Sequence, residues 1–283
     1  MLSCDILFCK FIINNARRKS EGQRTMGTIR WFIKTIFYLL GALPDRIRIT
    51  RLHKKGDHLT AHLYTQARVR HWAIAMLRYA GVTADIYGRE NIPKGPVLFA
   101  PNHQSDWDIM LAETYLDQCG IVAKQEIGRI PLARPWMDLL GIVFIDRSDP
   151  RQTVKSLKAC EQQLTEGRNF IIFPEGTRSK GEELGEFRTG ALRIALRHGI
   201  PIIPVSIDGS YKIMEANHGK WIKPGHVIMT IQPPIETAGM DKAAQKQIGE
   251  TVRASILDAR ETGRRLYTEK TDNTALTEGE NRK

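Results

Sequence analysis

With 283 residues, 42% hydrophobic and 7% aromatic, the chain can bury one large core or two small ones, and its composition selects no unusual class. The formal net charge of +11 is unevenly placed: residues 1–80 hold 15 Lys+Arg against 4 Asp+Glu, whereas the remainder holds 27 of each. A basic end of this kind suits an anionic surface, and its coupling to apolar segments favours lipid over nucleic acid.

Residues 1–25 open with an apolar run that turns polar at Asn14. No positive n-region precedes that run, so a cleaved secretory signal is not expected, and the segment reads as a membrane-contacting or disordered extension. From Met26 to Leu43 an amphipathic helix is predicted, because Ile29, Phe32, Ile33, Ile36, Phe37 and Leu40 recur at three- and four-residue steps. Its uninterrupted apolar stretch, Thr35 to Pro44, is far below the roughly 20 residues that cross a bilayer. The helix is therefore expected to lie on or dip into a membrane, with Trp31 and Tyr38 at the interface and Arg30 and Lys34 reaching for headgroups; a buried packing helix is the alternative reading of the same pattern. Arg46, Arg48, Arg51, Lys54 and Lys55 follow as a basic patch for anionic lipid. A second helix from about Ala61 to Tyr79, ended by Gly81, completes a two-helix membrane-associating segment over residues 26–80.

Residues 81–263 alternate short apolar strands with helical patterns, which predicts an α/β domain with a mostly parallel or mixed central sheet and flanking helices. Strands are expected at Val97–Ala100, Ile121–Ala123, Gly141–Ile145, Phe170–Phe173, Ile202–Ile207 and His226–Ile231. Helices are expected from Asp106, from Pro131 to Leu140, from Pro150 behind the cap Asp149, from Phe187 to His198, and from Asp241 until Gly263 ends it. Residues 264–283 are polar and read as a disordered tail. Cys4, Cys9, Cys119 and Cys160 form no Cys-x-x-Cys pair, so reduced thiols are expected, no metal site is, and Cys160 reads as core filling.

The chemistry gathers at strand ends. The Val97–Ala100 strand delivers Pro101-Asn102-His103-Gln104-Ser105-Asp106-Trp107-Asp108, in which Ser105 and Asp108 have the spacing of a capping box. His103 in the loop before that helix and Asp108 in its first turn can meet, and a carboxylate on one ring nitrogen leaves the other basic. Ordinary cap and turn residues give the same spacing. The strand ending at Phe173 delivers Pro174-Glu175-Gly176-Thr177-Arg178-Ser179, where Arg178 presents a fork of donors suited to phosphate and Gly176 allows close backbone approach. Glu175 cannot attract phosphate by charge and is expected to orient Arg178 or a loop amide.

Asn102 to Asp108 resembles the His-x-x-x-x-Asp motif of the glycerolipid acyltransferases, in particular the 1-acylglycerol-3-phosphate acyltransferase family. Gly141 to Arg147, Phe173 to Ser179 and Ile203 to Ile207 resemble its further blocks in the same order, so the likeness spans roughly residues 80–235. It implies acyl transfer from acyl-CoA or acyl-carrier protein to the sn-2 hydroxyl of a lysophospholipid, 1-acyl-sn-glycerol 3-phosphate, giving phosphatidic acid. His103 is then the general base and Asp108 its partner, while Lys124, Arg147, Glu175, Gly176, Thr177 and Arg178 form the substrate side. The resemblance further implies no cofactor beyond the acyl-thioester cosubstrate, and no nucleic acid. It places the protein at the inner (cytoplasmic) membrane, peripheral or monotopic, with its site facing the cytoplasm. Other lysophospholipids or glycerol-3-phosphate remain alternative acceptors. A serine lipid hydrolase is the competing chemistry, disfavoured because Gly-x-Ser-x-Gly is absent. Neither Gly-x-Gly-x-x-Gly nor a P-loop occurs, which argues against a nucleotide-binding enzyme.

Overall fold

The computed structural model describes residues 25–116, 119–146, 149–190 and 192–280. Residues 1–24, nearly all of the predicted 1–25 extension, and Arg147 therefore lie outside the described residues.

Among the described residues three helices, not two, precede the sheet: α1 (residues 25–41), α2 (Leu43–Lys54) and α3 (His58–Ala80). The basic stretch after α1 is helical because Pro44 sits at its first turn, where a missing N–H costs nothing, and Asp45 favours the positive end of the helix. Asp45 also accepts from Tyr64 Oη at 2.6 Å and pairs with Arg68 at 2.7 Å, pinning α2 to α3. Gly81 caps α3 at φ 69°, as its position predicts.

α1 is turned differently from the expectation for Trp31. That side chain is 8% exposed, donates through Nε1 to the Met76 carbonyl at 3.0 Å and packs on Trp107 at 5.4 Å. Lys34 lies 4.8 Å from the Tyr79 ring centroid, a cation–π contact with α3. The side of α1 bearing Ile29, Phe32, Ile33, Ile36, Phe37 and Leu40 faces outward. No helix among the described residues is long and apolar enough to cross a membrane.

Next come β1 (Val82–Tyr87), β2 (Leu98–Pro101), α4 (Trp107–Tyr115), β3 (Cys119–Lys124), α5 (Arg134–Leu140), β4 (Val143–Ile145), α6 (Pro150–Thr165), β5 (Asn169–Ile171), α7 (Arg193–His198), β6 (Ile202–Asp208), β7 (Gly225–Ile231) and α8 (Lys242–Glu280). The strands form one sheet in the order β1-β7-β6-β2-β5-β3-β4, parallel throughout except where β6 meets β7. A mixed, mostly parallel sheet with helices on both faces is the expected class. β2 is central, and all four of its residues are buried, as a strand covered on both faces requires. Val97 and Phe99 join Trp107, Leu111, Ile203 and Val205 in one core; Leu98 and Ala100 join Cys160, Leu164, Ile194 and Val252 in the other. Cys160 is thus a buried core thiol, its pKa pushed up to about 12 by desolvation.

Two helices depart from their predicted bounds by more than one turn. α7 begins at Arg193 rather than Phe187, since Arg188 N–H is bonded to the Pro174 carbonyl at 2.7 Å and Gly190 is a poor helix former. α8 runs through Gly263 to Glu280, so residues 264–280 are helical. Gly263 serves close approach instead of termination: a Cβ there would fall 2.2 Å from Thr230 Oγ1 on β7. Beyond it Tyr267 stacks on His226 at 4.6 Å and Lys270 pairs with Asp85, which holds the extended helix against β1 and β7.

Candidate active site

Parallel strands put their carboxyl ends along one edge of the sheet. β2, β5 and β3 are neighbours there, so the loops that carry His103 and Arg178 converge with Lys124 at the end of β3. They line a cleft of about 540 Å³, whose walls include Gly176, Thr177, Lys180 and Arg188.

His103 is held from several sides. Its Nδ1 lies 2.9 Å from Asp108 Oδ2, the contact that the motif spacing predicts. Asp108 is fully buried, and the same oxygen accepts the Ser105 amide at 2.8 Å, the reach-back half of a capping box. Ser105 Oγ accepts from the Trp107 amide at 3.2 Å, so the helix start and the His–Asp contact depend on the same residues. With a carboxylate as partner, Nδ1 carries the proton and Nε2 is left as the basic nitrogen. Phe173 stacks on the imidazole at 4.0 Å and 23°, fixing its plane. The backbone is tied as well: His103 N–H donates to Glu175 Oε1 at 2.6 Å, and Ser179 N–H donates to the His103 carbonyl at 2.8 Å.

Glu175 is 3% exposed, and its second oxygen accepts from Gly185 N–H at 2.8 Å. Of its two expected roles, orienting Arg178 or a loop amide, the contacts are with loop amides. Burial pushes its carboxyl above the ordinary range, while the amide hydrogen bonds from His103 and Gly185 pull the other way. Gly176, at φ 69°, turns the chain so tightly that its N–H bonds the Phe173 carbonyl at 3.0 Å.

Arg178 reaches the cleft from beside the helix start. Its Nη1 pairs with Asp106 and, at 3.2 Å, with Glu215 Oε1. Glu215 lies in the segment that follows β6, the strand next to β2. Neither acidic partner stood out in the sequence, because Asp106 looked like a helix cap and Glu215 carries no local pattern. Phe173 was visible only as a strand residue.

A second, apolar cavity of about 130 Å³ lies between α1, α3, α4 and α5, walled by Tyr38, Val69, Trp72, Trp136 and Leu140. Ile109 of α4 lines both cavities. Among the described residues no cluster of His, Cys, Asp or Glu has a metal-holding arrangement.

Residues 83–208 match the family model described as Acyltransferase. The chain is 31% identical over 225 residues to a chloroplastic 1-acyl-sn-glycerol-3-phosphate acyltransferase of Brassica napus, covering 78% of this chain and 63% of that one. It is 33% identical over 180 residues to the "Probable 1-acyl-sn-glycerol-3-phosphate acyltransferase" of Mycoplasma genitalium, covering 59% of this chain and 67% of that one. It thus spans somewhat less than two thirds of the length of plant and yeast relatives that it matches. Among solved structures, the 1-acyl-sn-glycerophosphate acyltransferase of Thermotoga maritima superposes with a TM-score of 0.74 at 25% identity, covering 86% of this chain and 97% of that one.

Proposed function

We propose, from the premise that this chain belongs to the 1-acyl-sn-glycerol-3-phosphate acyltransferase family, that it transfers an acyl chain from acyl-CoA or acyl-carrier protein to the sn-2 hydroxyl of 1-acyl-sn-glycerol 3-phosphate, giving phosphatidic acid. The observation that carries this reading is the 2.9 Å contact between His103 and the buried Asp108 at the edge of a cleft that Arg178 also lines.

His103 Nε2 takes the proton of the sn-2 hydroxyl as its oxygen attacks the thioester carbonyl, and Asp108 steadies the imidazolium that forms. Collapse of the tetrahedral intermediate breaks the carbon–sulfur bond, and the thiolate leaves with the proton that the imidazolium returns. No covalent acyl-enzyme is needed, because the acceptor hydroxyl stands where a serine would in a triad. Arg178 and Lys124 grip the acceptor phosphate, with Gly176 and Thr177 shaping the wall beside them. The apolar cavity that shares the Ile109 wall with the cleft takes acyl methylenes, whose burial is favourable by about 0.8 kcal/mol each.

The outward apolar residues of α1, such as Phe37 at 69% exposure, rest on an anionic membrane with the basic residues of α2 beside it. That membrane is the inner (cytoplasmic) one, approached as a peripheral or monotopic protein with the cleft facing the cytoplasm. The test is to incubate the purified protein with 1-acyl-sn-glycerol 3-phosphate, other lysophospholipids and glycerol-3-phosphate, each with acyl-CoA and acyl-carrier protein, and to weigh the product lipids. Phosphatidic acid should dominate. Free fatty acid without an acylated acceptor, together with an acyl group trapped on serine, would reassign the site to hydrolysis.

A further inference from the structure

We infer that Glu215 is a positioning residue for the acceptor phosphate: it anchors Arg178 by one nitrogen to the start of α4 and leaves the rest of the guanidinium free to bind. The inference rests on Arg178 being the phosphate ligand, as proposed above.

Arg178 makes both of its ion pairs, to Asp106 and to Glu215, through Nη1. Its Nε and Nη2 donors have no partner among the described residues, and the side chain lines the cleft. Nε and Nη2 form the side-on fork that matches two oxygens of a phosphate. An arginine held at Nη1 is thus preorganised and unspent, so binding an anion need not break the contacts that orient it.

The two carboxylates are not equivalent. The Asp106 side chain is 59% exposed, whereas that of Glu215 is 6% exposed. Glu215 Oε2 accepts from Ser105 Oγ at 2.5 Å, and Oε1 accepts from the Asp106 amide at 3.2 Å as well as from Arg178. Bonded on both oxygens and shielded from water, Glu215 is a fixed strut, while Asp106 is free to turn away. The strut grips Ser105, whose amide is held by Asp108 Oδ2, the same oxygen that meets His103. A continuous hydrogen-bonded path therefore runs from the phosphate arm to the base. It fixes the spacing between a phosphate and the hydroxyl that must reach Nε2, and small displacements of such groups reduce rate steeply.

The experiment measures acyl transfer by the full chain, with KM for 1-acyl-sn-glycerol 3-phosphate and for acyl-CoA determined separately, in Glu215→Ala, Glu215→Gln, Arg178→Ala and the double variant Arg178→Ala/Glu215→Ala. Loss of Glu215 should raise the acceptor KM by about tenfold or more and leave the donor KM within about twofold. Gln, which keeps the shape and one accepting oxygen, should restore much of the loss. In the Arg178→Ala background the Glu215→Ala change should add less than about twofold, because its effect passes through the arginine. Independent, multiplicative losses would overturn the inference, as would a fall in kcat at unchanged acceptor KM in both Glu215 variants. An unchanged acceptor KM in Arg178→Ala would instead remove the phosphate reading of Arg178 itself, and this inference with it.

Discussion

His103 sits in a loop, yet its imidazole is fixed by Asp108, by the Phe173 ring and by backbone bonds to Glu175 and Ser179. Such redundancy lets Asp108 be tested without moving the ring far. Asp108→Asn keeps an oxygen for the Ser105 amide and removes the charge that stabilises an imidazolium. Steady-state kinetics should show kcat down by about 10²-fold or more with the acceptor KM little changed; equal kcat would remove Asp108 from the mechanism. Glu175 should behave otherwise. In Glu175→Gln the new amide nitrogen faces one of two backbone N–H groups, so thermal unfolding should reveal a loss of about 1–3 kcal/mol. The His103–Asp108 contact was legible in the sequence because both partners belong to one strand–loop–helix unit, whose cap fixes their geometry locally. Glu215 was not, since it lies 110 residues from Ser105 and is brought to it only by the adjacency of β6 and β2.

At the scale of elements, α4 carries more than Asp108. Glu113, without a hydrogen-bond partner among the described residues, lies beside the apolar cavity, and burial raises its carboxyl from 4.5 to about 8. The folded chain therefore keeps this proton where the unfolded chain releases it. Below about pH 4.5 both states hold it; between there and about pH 8 folding stability declines, and above that the loss is complete. Glu113→Gln should flatten that slope in chemical denaturation measured across the window; an identical slope would show that the carboxyl is ionised in the fold. α8 supplies a second case. Gly263→Val should push the helix off β7 and cost about 1–3 kcal/mol by denaturant unfolding, since its Cβ alone meets Thr230 at 2.2 Å. Sequence patterns found Gly263 but read it as a stop, because a glycine at a helix end and a glycine at a close helix–sheet crossing look alike until the sheet is placed. The amphipathic pattern of α1 likewise fixed a helix without saying which side meets protein: Trp31 faces the core, and the Ile29–Phe37 side faces out.

The whole molecule joins a sheet edge bearing the chemistry to three helices bearing apolar and basic surface. The fold class and the placement of the motif loops at strand ends followed from short apolar runs ending in polar motifs, a pattern that βα units impose on any sequence. The outward face of α1 predicts that replacing Ile33 and Phe37 by Ser should weaken flotation with anionic vesicles by about tenfold, with the fold unchanged by circular dichroism; equal flotation would place the contact elsewhere. The proposed acyl transfer depends on a histidine that moves the acceptor's proton. The most direct measurement is therefore single-turnover acyl transfer from acyl-CoA to 1-acyl-sn-glycerol 3-phosphate by the intact protein on vesicles, comparing His103→Ala with the unaltered chain. Loss of transfer by about 10²-fold or more, with acceptor binding and thermal stability retained, is the expected result. Transfer at a near-normal rate by His103→Ala would contradict it.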